Sequence, residues 1–161
     1  MDVRRLRAGE WLMGVAGAAL FAVLFVDWYR AEGGGAGLTA WQAFSVHDVL
    51  LALLAVAAVA TIPLVARAPT ASPGIAYETM ILLGGIIGVV ICLIRVVDVP
   101  ASGLEVRPGA WIGLLVALGL CASCLVAMRD ERRSTPDETT DGTGVPVAAA
   151  PAPEDLPAPP A

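Results

Sequence analysis

Four long apolar runs constrain this chain more than any other feature of its sequence. They lie at residues 10–26, 49–65, 75–97 and 110–128, and few charges interrupt them. A helix needs about 20 predominantly apolar residues to cross the hydrocarbon core of a bilayer. The pattern therefore predicts an all-α membrane protein, a four-transmembrane-helix bundle within residues 1–133.

The composition favours an integral membrane protein over a soluble domain. Of the 161 residues, 57% are hydrophobic and 16% are charged, whereas soluble domains average about 25% charged residues. All ten basic residues are Arg, and they form no clustered basic face of the kind that nucleic-acid binding requires. We therefore expect the lipid bilayer as a partner and no nucleic acid.

The distribution of Arg predicts the orientation in the membrane. Cytoplasmic loops carry an excess of basic residues, and an N-terminus on the inner side puts seven of the ten Arg inside. This predicts a multi-pass protein of the plasma membrane with both termini in the cytoplasm. The inner residues are Arg4, Arg5, Arg7, Arg67, Arg129, Arg132 and Arg133, and the outer ones are Arg30, Arg95 and Arg107.

The last segment, residues 134–161, differs sharply from the rest of the chain. It contains seven Pro, five acids and no base. Such a segment cannot bury enough apolar surface to offset the entropy of ordering it. We expect a disordered, acidic, Pro/Ala-rich cytoplasmic tail.

Ionisable residues converge at the predicted outer ends of the spans. Asp27 closes the first span, Asp48 opens the second, and Arg95 and Asp98 lie at the end of the third. These four residues form a candidate outer polar cluster. It is interpreted either as a network of ion pairs and caps that fixes the helix ends, which we favour, or as the vestibule of a small transporter or channel.

Aromatic residues also collect near the predicted span ends, as amphipathic rings do at membrane interfaces. Residues 39–46 are predicted to form an interfacial helical turn with Thr39 as its N-cap, and residues 32–37 a flexible linker. The predicted interfacial anchors are Trp11, Trp28, Tyr29, Trp41, Phe44, Tyr77 and Trp111.

Residues able to support catalysis or metal binding are few. His47 is the single His, whereas zinc sites use three or four protein ligands. Cys121 and Cys124 form a CxxC, but they lie deep in a span, and Cys92 is predicted to be too distant axially for a disulfide. GxSxG, P-loop and HExxH motifs are absent from the sequence. We therefore expect no catalytic, cofactor-binding or metal site, no cofactor and no enzymatic activity.

Several short motifs resemble those of small actinobacterial four-span integral membrane proteins of unknown function. They are DWY after the first run, AWQAFSVHD before the second, RVVDVP after the third, and PGAWIGLLVALGL leading to AMRDERR. The resemblance covers residues 9–133 and implies a four-span shape with an outer pair like Arg95 and Asp98. Family members more often have Pro where Asp27 stands, so the resemblance implies no role for Asp27.

These observations together predict a structural or accessory subunit of a cell-envelope assembly. Its expected outer contact surface consists of Trp28, Tyr29, Trp41, Phe44 and Arg95. Small residues such as the glycines of GGIIG at 84–88 allow close helix contacts, either within the bundle or in a homo-oligomer, and a membrane-protein partner is the other possibility. The alternatives are the transporter or channel component and, with less support, a membrane thiol oxidoreductase that uses the CxxC.

Overall fold

The computed structural model describes residues 8–44, 46–67 and 72–132. The predicted disordered tail at residues 134–161 lies outside the described residues. The elements within these ranges are α1 (Ala8–Val23), β1 (Asp27–Ala31), β2 (Gly37–Thr39), α2 (Ala40–Ala43), α3 (His47–Val65), α4 (Ser72–Val97), β3 (Leu104–Val106) and α5 (Pro108–Arg132).

Three of the helices are long and apolar enough to cross a membrane, by length and composition. They are His47–Val65, Ala76–Val97 and Pro108–Arg129. The apolar helix α1 has 16 residues, about 24 Å at 1.5 Å per residue, and its chain continues through backbone hydrogen-bonded turns to Val26. The protein is therefore mostly helical, and its three candidate spans indicate a multi-pass membrane protein.

The four apolar helices pack as a closed ring. Helix α1 contacts α3 and α5, and α4 contacts the same two helices, so that α1 and α4 lie diagonally opposite each other. Small side chains such as Ala55, Ala58 and Ala117 are fully buried between the helices, whereas Leu53, Leu83 and Leu115 point outward. This arrangement is typical of membrane bundles, in which lipid covers large apolar side chains and small residues let the backbones approach.

Close backbone approach is clearest between α1 and α3. A Cβ added at Gly17 would lie 2.7 Å from the Ala58 Cβ and 2.8 Å from the Ala55 carbonyl oxygen. The notch at Gly84 and Gly88 of α4 is filled from within the chain by the side chain of Leu54 on α3. These glycines therefore serve helix contacts inside the bundle.

A small antiparallel sheet crosses one end of the bundle, in the strand order β2-β1-β3. The expectation of an all-α protein is wrong in this respect, because the connection between α1 and α3 and the connection between α4 and α5 lie at the same end and pair with each other. Tyr29 is opposite Leu38 on one side and Val106 on the other. We call this the sheet end of the bundle, and we call β1, β2, α2 and β3 with their turns the cap.

The expected flexible linker at residues 32–37 is instead the turn of the β1–β2 hairpin. Gly33 and Gly34 have φ values of +93° and +98°, which L side chains rarely adopt, and a hairpin turn needs such residues. The expected helical turn after it is confirmed, since Thr39 is the N-cap of α2. Gln42 Oε1 accepts a hydrogen bond from the Thr39 backbone N–H at 2.9 Å.

Candidate functional site at the sheet end

Trp28 fixes the cap to two helices at once. Its side chain is 0% exposed, and its ring lies against α5 where Gly113 leaves room, since a Cβ at position 113 would come within 2.5 Å of the ring. Its indole N–H donates to the carbonyl of Val23 at 2.8 Å. That carbonyl belongs to the last turn of α1 and also accepts from the backbone N–H of Val26 at 3.2 Å, so Trp28 adds a second bond where α1 ends.

Phe44 connects the buried part of the cap to α4. Its ring meets Trp28 edge-on, with the ring centroids 5.1 Å apart, and Tyr29 with the centroids 6.2 Å apart. The guanidinium carbon of Arg95 lies 4.8 Å from the centroid of the same ring. Both geometries are attractive, edge-to-face for the aromatic pairs and cation–π for the arginine.

Arg95 forms hydrogen bonds with α3 through its side chain and with β1 of the cap through its backbone carbonyl. Its Nη2 lies 2.9 Å from Nδ1 of His47, and its backbone carbonyl accepts a hydrogen bond from the hydroxyl of Tyr29 at 2.5 Å. A guanidinium has only donors, so Nδ1 of His47 is the acceptor and carries no proton. The end of α4, the start of α3 and strand β1 therefore meet at Arg95.

The hydroxyl of Tyr29 is held in its protonated form at this junction. Burial raises the pKa of Tyr29 to about 12, and Cys92 and Asp98 add to the rise while the guanidinium of Arg95 opposes it. The phenol therefore remains a hydrogen-bond donor to the Arg95 carbonyl at neutral pH.

The members of the candidate outer polar cluster lie in different surroundings, and Arg95 contacts His47 and Phe44 as described above. Asp27 forms an ion pair with Arg30 at 3.5 Å. Asp48 is buried, and its Oδ1 accepts from the backbone N–H of Val49 at 2.8 Å at the start of α3. Asp98 is exposed just beyond α4, near enough to Tyr29 to act on its pKa. The functional role of this cluster stays a prediction.

The seven predicted interfacial anchors fall into three groups by burial. Trp28, Tyr29 and Phe44 are buried within the protein, because the cap folds back onto the bundle and covers their rings with protein. Trp11, Trp41 and Trp111 are exposed, and Tyr77 is half-buried. Only the exposed group has rings available to contact lipid or a partner from the monomer surface.

The exposed group includes Trp41, which continues a line of exposed aromatic rings. Phe21 and Phe25 on the end of α1 pack with their ring centroids 5.5 Å apart, and Phe25 lies 5.8 Å from Trp41 on α2. All three side chains are exposed. We call Phe21, Phe25 and Trp41 the aromatic ridge, and it runs from the bundle onto the cap.

The three cysteines are free thiols. Cys124 is buried between helices, with its Sγ 3.4 Å from Sδ of Met13 on α1, and Cys92 is fully buried. Sulfur contacts of this kind are ordinary in apolar interiors. Within the three described ranges, no group of three His, Cys, Asp or Glu side chains is placed to hold a metal ion.

The contact between Arg95 and His47 was not predicted from the sequence. A signal for it exists, since His47 precedes the second apolar run and Arg95 ends the third. Antiparallel neighbouring helices bring such positions to the same end. The sequence gives no comparable signal that the ring of Phe44 packs on Arg95, because this contact depends on how the cap folds.

Comparison of the chain with protein-family models, with curated proteins and with solved structures found no match.

Proposed function

We propose that this chain is a four-span plasma-membrane protein, with both termini in the cytoplasm, that acts as a non-catalytic structural or accessory subunit of a cell-envelope assembly. The sheet end would then face outward. Three candidate spans and the shorter apolar helix α1, packed together as a ring, support the four-span proposal. The observation that carries the proposal is the cap, an ordered surface presented at one end of an apolar bundle.

The side chains of the cap support a role in holding a surface in place. Arg95 is engaged by His47, by the ring of Phe44 and, through its carbonyl, by Tyr29. Asp48 bonds to the first turn of its own helix. Groups that line an ion or substrate path keep polar atoms available for the passing species, so these internal contacts give less support to a vestibule.

The aromatic ridge, which runs from the bundle onto the cap, is the surface that best fits a partner. Of the contact surface expected from the sequence, Trp28, Tyr29 and Phe44 are buried, which leaves Trp41 as its exposed aromatic residue. Aromatic residues are enriched at protein interfaces, and the ridge extends that surface along α1 to Phe25 and Phe21. The partner contact is therefore assigned to this ridge.

A photo-crosslinking experiment tests this assignment. Benzoylphenylalanine in place of Trp41, in the full chain in native membranes, is expected to give a discrete protein adduct identifiable by mass spectrometry. Trp111 is the matched control, because it is also an exposed Trp near the sheet end, 55% exposed against 36% for Trp41, but it lies on α5 and is not part of the ridge. Lipid adducts are expected there.

The proposal is contradicted if crosslinking from the two positions gives the same kind of adduct. If Trp41 and Trp111 both yield only lipid adducts, the ridge is a membrane anchor and the accessory-subunit proposal loses its support.

A further inference from the structure

The junction between His47 and Arg95 contains the single histidine of the chain in direct contact with a permanent cation. Nδ1 of His47 accepts from Nη2 of Arg95 at 2.9 Å. This bond requires a neutral imidazole with its proton on Nε2. A protonated imidazole has no acceptor lone pair, so the same approach would place two cations side by side.

A second feature of the fold also places positive charge beside His47. It is the first residue of α3, where the unpaired backbone N–H groups give the helix a partial positive charge. His47 is half-buried, so its ring remains within reach of protons from the sheet end. A positive charge on His47 would therefore face both the guanidinium of Arg95 and the positive end of the helix.

We propose that the His47–Arg95 contact is a pH-sensitive latch that holds the cap closed while His47 is neutral and releases it when His47 is protonated. Phe44 transmits the release, because its ring packs on the Arg95 guanidinium and also on Trp28 and Tyr29. When Arg95 moves away from a charged His47, Phe44 loses its cation–π partner and the α2 segment loosens from the bundle. This latch concerns the closure of the cap itself and goes beyond the proposed function.

The test of the latch therefore compares two pH values within the range in which histidine side chains in general change charge. Tyr29 keeps its proton throughout that range, since the pKa of an ordinary tyrosine is about 10 and burial raises that of Tyr29 to about 12. Its hydrogen bond to the Arg95 carbonyl therefore persists while the guanidinium is released. The other ionisable groups at this end of the surrounding elements are Asp27 and Arg30 on β1, Asp48 on α3, and Cys92 and Asp98 on or beside α4.

Amide hydrogen exchange on the full chain in lipid nanodiscs, at pH 7.5 and pH 5.5, tests the latch. The probes are the amides of Ala40, which donates to the Leu24 carbonyl, and of Phe44, which donates to the Ala40 carbonyl. Protection factors already divide out the pH dependence of chemical exchange. We expect those of both amides to fall about tenfold at the lower pH, the effect of losing one charge-assisted hydrogen bond, while amides in mid-α5 stay unchanged.

Two variants of His47 imitate its neutral and its charged state. His47→Asn supplies an uncharged acceptor near the position of Nδ1, so both amides should stay protected at both pH values. His47→Lys supplies a permanent cation, so protection should be low at both. Arg95→Met removes the opposing charge and should also abolish the difference between the two pH values, which keeps the test decisive if a His47 variant fails to fold.

Asp48→Asn and Asp98→Asn are the matched controls, because each removes an ionisable side chain beside the contact and leaves His47 and Arg95 in place. Both should retain the tenfold fall. The latch is refuted by equal wild-type protection at the two pH values, by a fall that persists in His47→Asn, or by a fall that disappears in Asp48→Asn or Asp98→Asn.

Discussion

The cap and the helix bundle beneath it are held together by different kinds of contact. In the bundle, buried positions are mostly small, such as Ala55, Ala58 and Ala117, and the backbones approach closely at Gly17. In the cap, the large rings of Trp28, Tyr29 and Phe44 are buried, and Trp28 and Tyr29 donate hydrogen bonds to the Val23 and Arg95 carbonyls.

The difference follows from the surroundings of each region. Lipid is as apolar as a leucine side chain, so helices within it gain little from burying large apolar groups and associate through close contact of small ones. The cap lies beyond the ends of the apolar helices, where burying a large ring removes it from water. Substitutions of opposite kinds should therefore damage the two regions: loss of side-chain volume in the cap and gain of side-chain volume in the bundle.

Trp28→Ala is the change expected to have the largest effect on the cap. Removing a fully buried Trp leaves a cavity against α5 and removes the hydrogen bond to Val23, with an expected loss of about 4 kcal/mol in the free energy of unfolding. Unfolding in mixed SDS–detergent micelles measures this loss. Trp111→Ala removes an exposed Trp near the same end and is expected to lower the free energy of unfolding much less. Equal losses would mean that Trp28 does not stabilise the protein through its burial in the cap.

Gly17→Val tests the opposite sensitivity in the bundle. The added atoms would overlap the Ala58 side chain and the Ala55 backbone of α3, so the two helices must separate, at an expected cost of about 3 kcal/mol. The same unfolding measurement applies. Gly119→Val on α5 is the matched control, because a Cβ there meets no heavy atom within 4 Å, and a change within about 0.5 kcal/mol is expected. Equal tolerance at both positions would contradict close contact between α1 and α3.

Tyr29→Phe gives the smallest effect and tests the directional bonds of the cap. Loss of the hydrogen bond to the Arg95 carbonyl is expected to lower the free energy of unfolding by about 1 kcal/mol at pH 8. The pKa of Tyr29 is raised to about 12 in the folded protein, above the ordinary value of about 10. The wild type therefore keeps the stabilisation by Tyr29 below pH 10 and loses it as the pH rises towards 12.

The pH dependence supplies the check on this last prediction. The difference in stability between wild type and Tyr29→Phe should shrink from pH 10 to pH 12, since the unfolded chain releases the phenolic proton more readily than the folded one. A difference that stays constant over this range would show that the hydroxyl of Tyr29 is not held protonated by its surroundings.

Helix positions were predictable because they depend on local composition. The second and third runs, expected at 49–65 and 75–97, appear as His47–Val65 and Ser72–Val97, and the fourth lies within Pro108–Arg132. An apolar run of this length must satisfy its backbone groups internally in lipid, and a helix does so without help from distant residues. Thr39 as the N-cap of α2 was predictable for the same local reason.

The cap was only partly predictable, because its contacts join residues far apart in the chain. Tyr29 and Arg95 are 66 positions apart, and His47 and Arg95 are 48 apart. The segments β1 and β3 are too short to be recognised as strands, and each becomes one only by pairing with a strand from another part of the chain. The sequence pattern of the aromatic residues near the span ends did not indicate which rings the cap would bury.

Hydrophobicity and length act residue by residue along the chain, so they specify which segments are apolar helices. The packing of the whole chain was needed to form one sheet from two connections, to bury Trp28, Tyr29 and Phe44, and to bring Arg95 to His47. Those outcomes depend on the helices forming a ring whose sheet end brings both connections together, and that geometry arises from helix contacts between distant small residues.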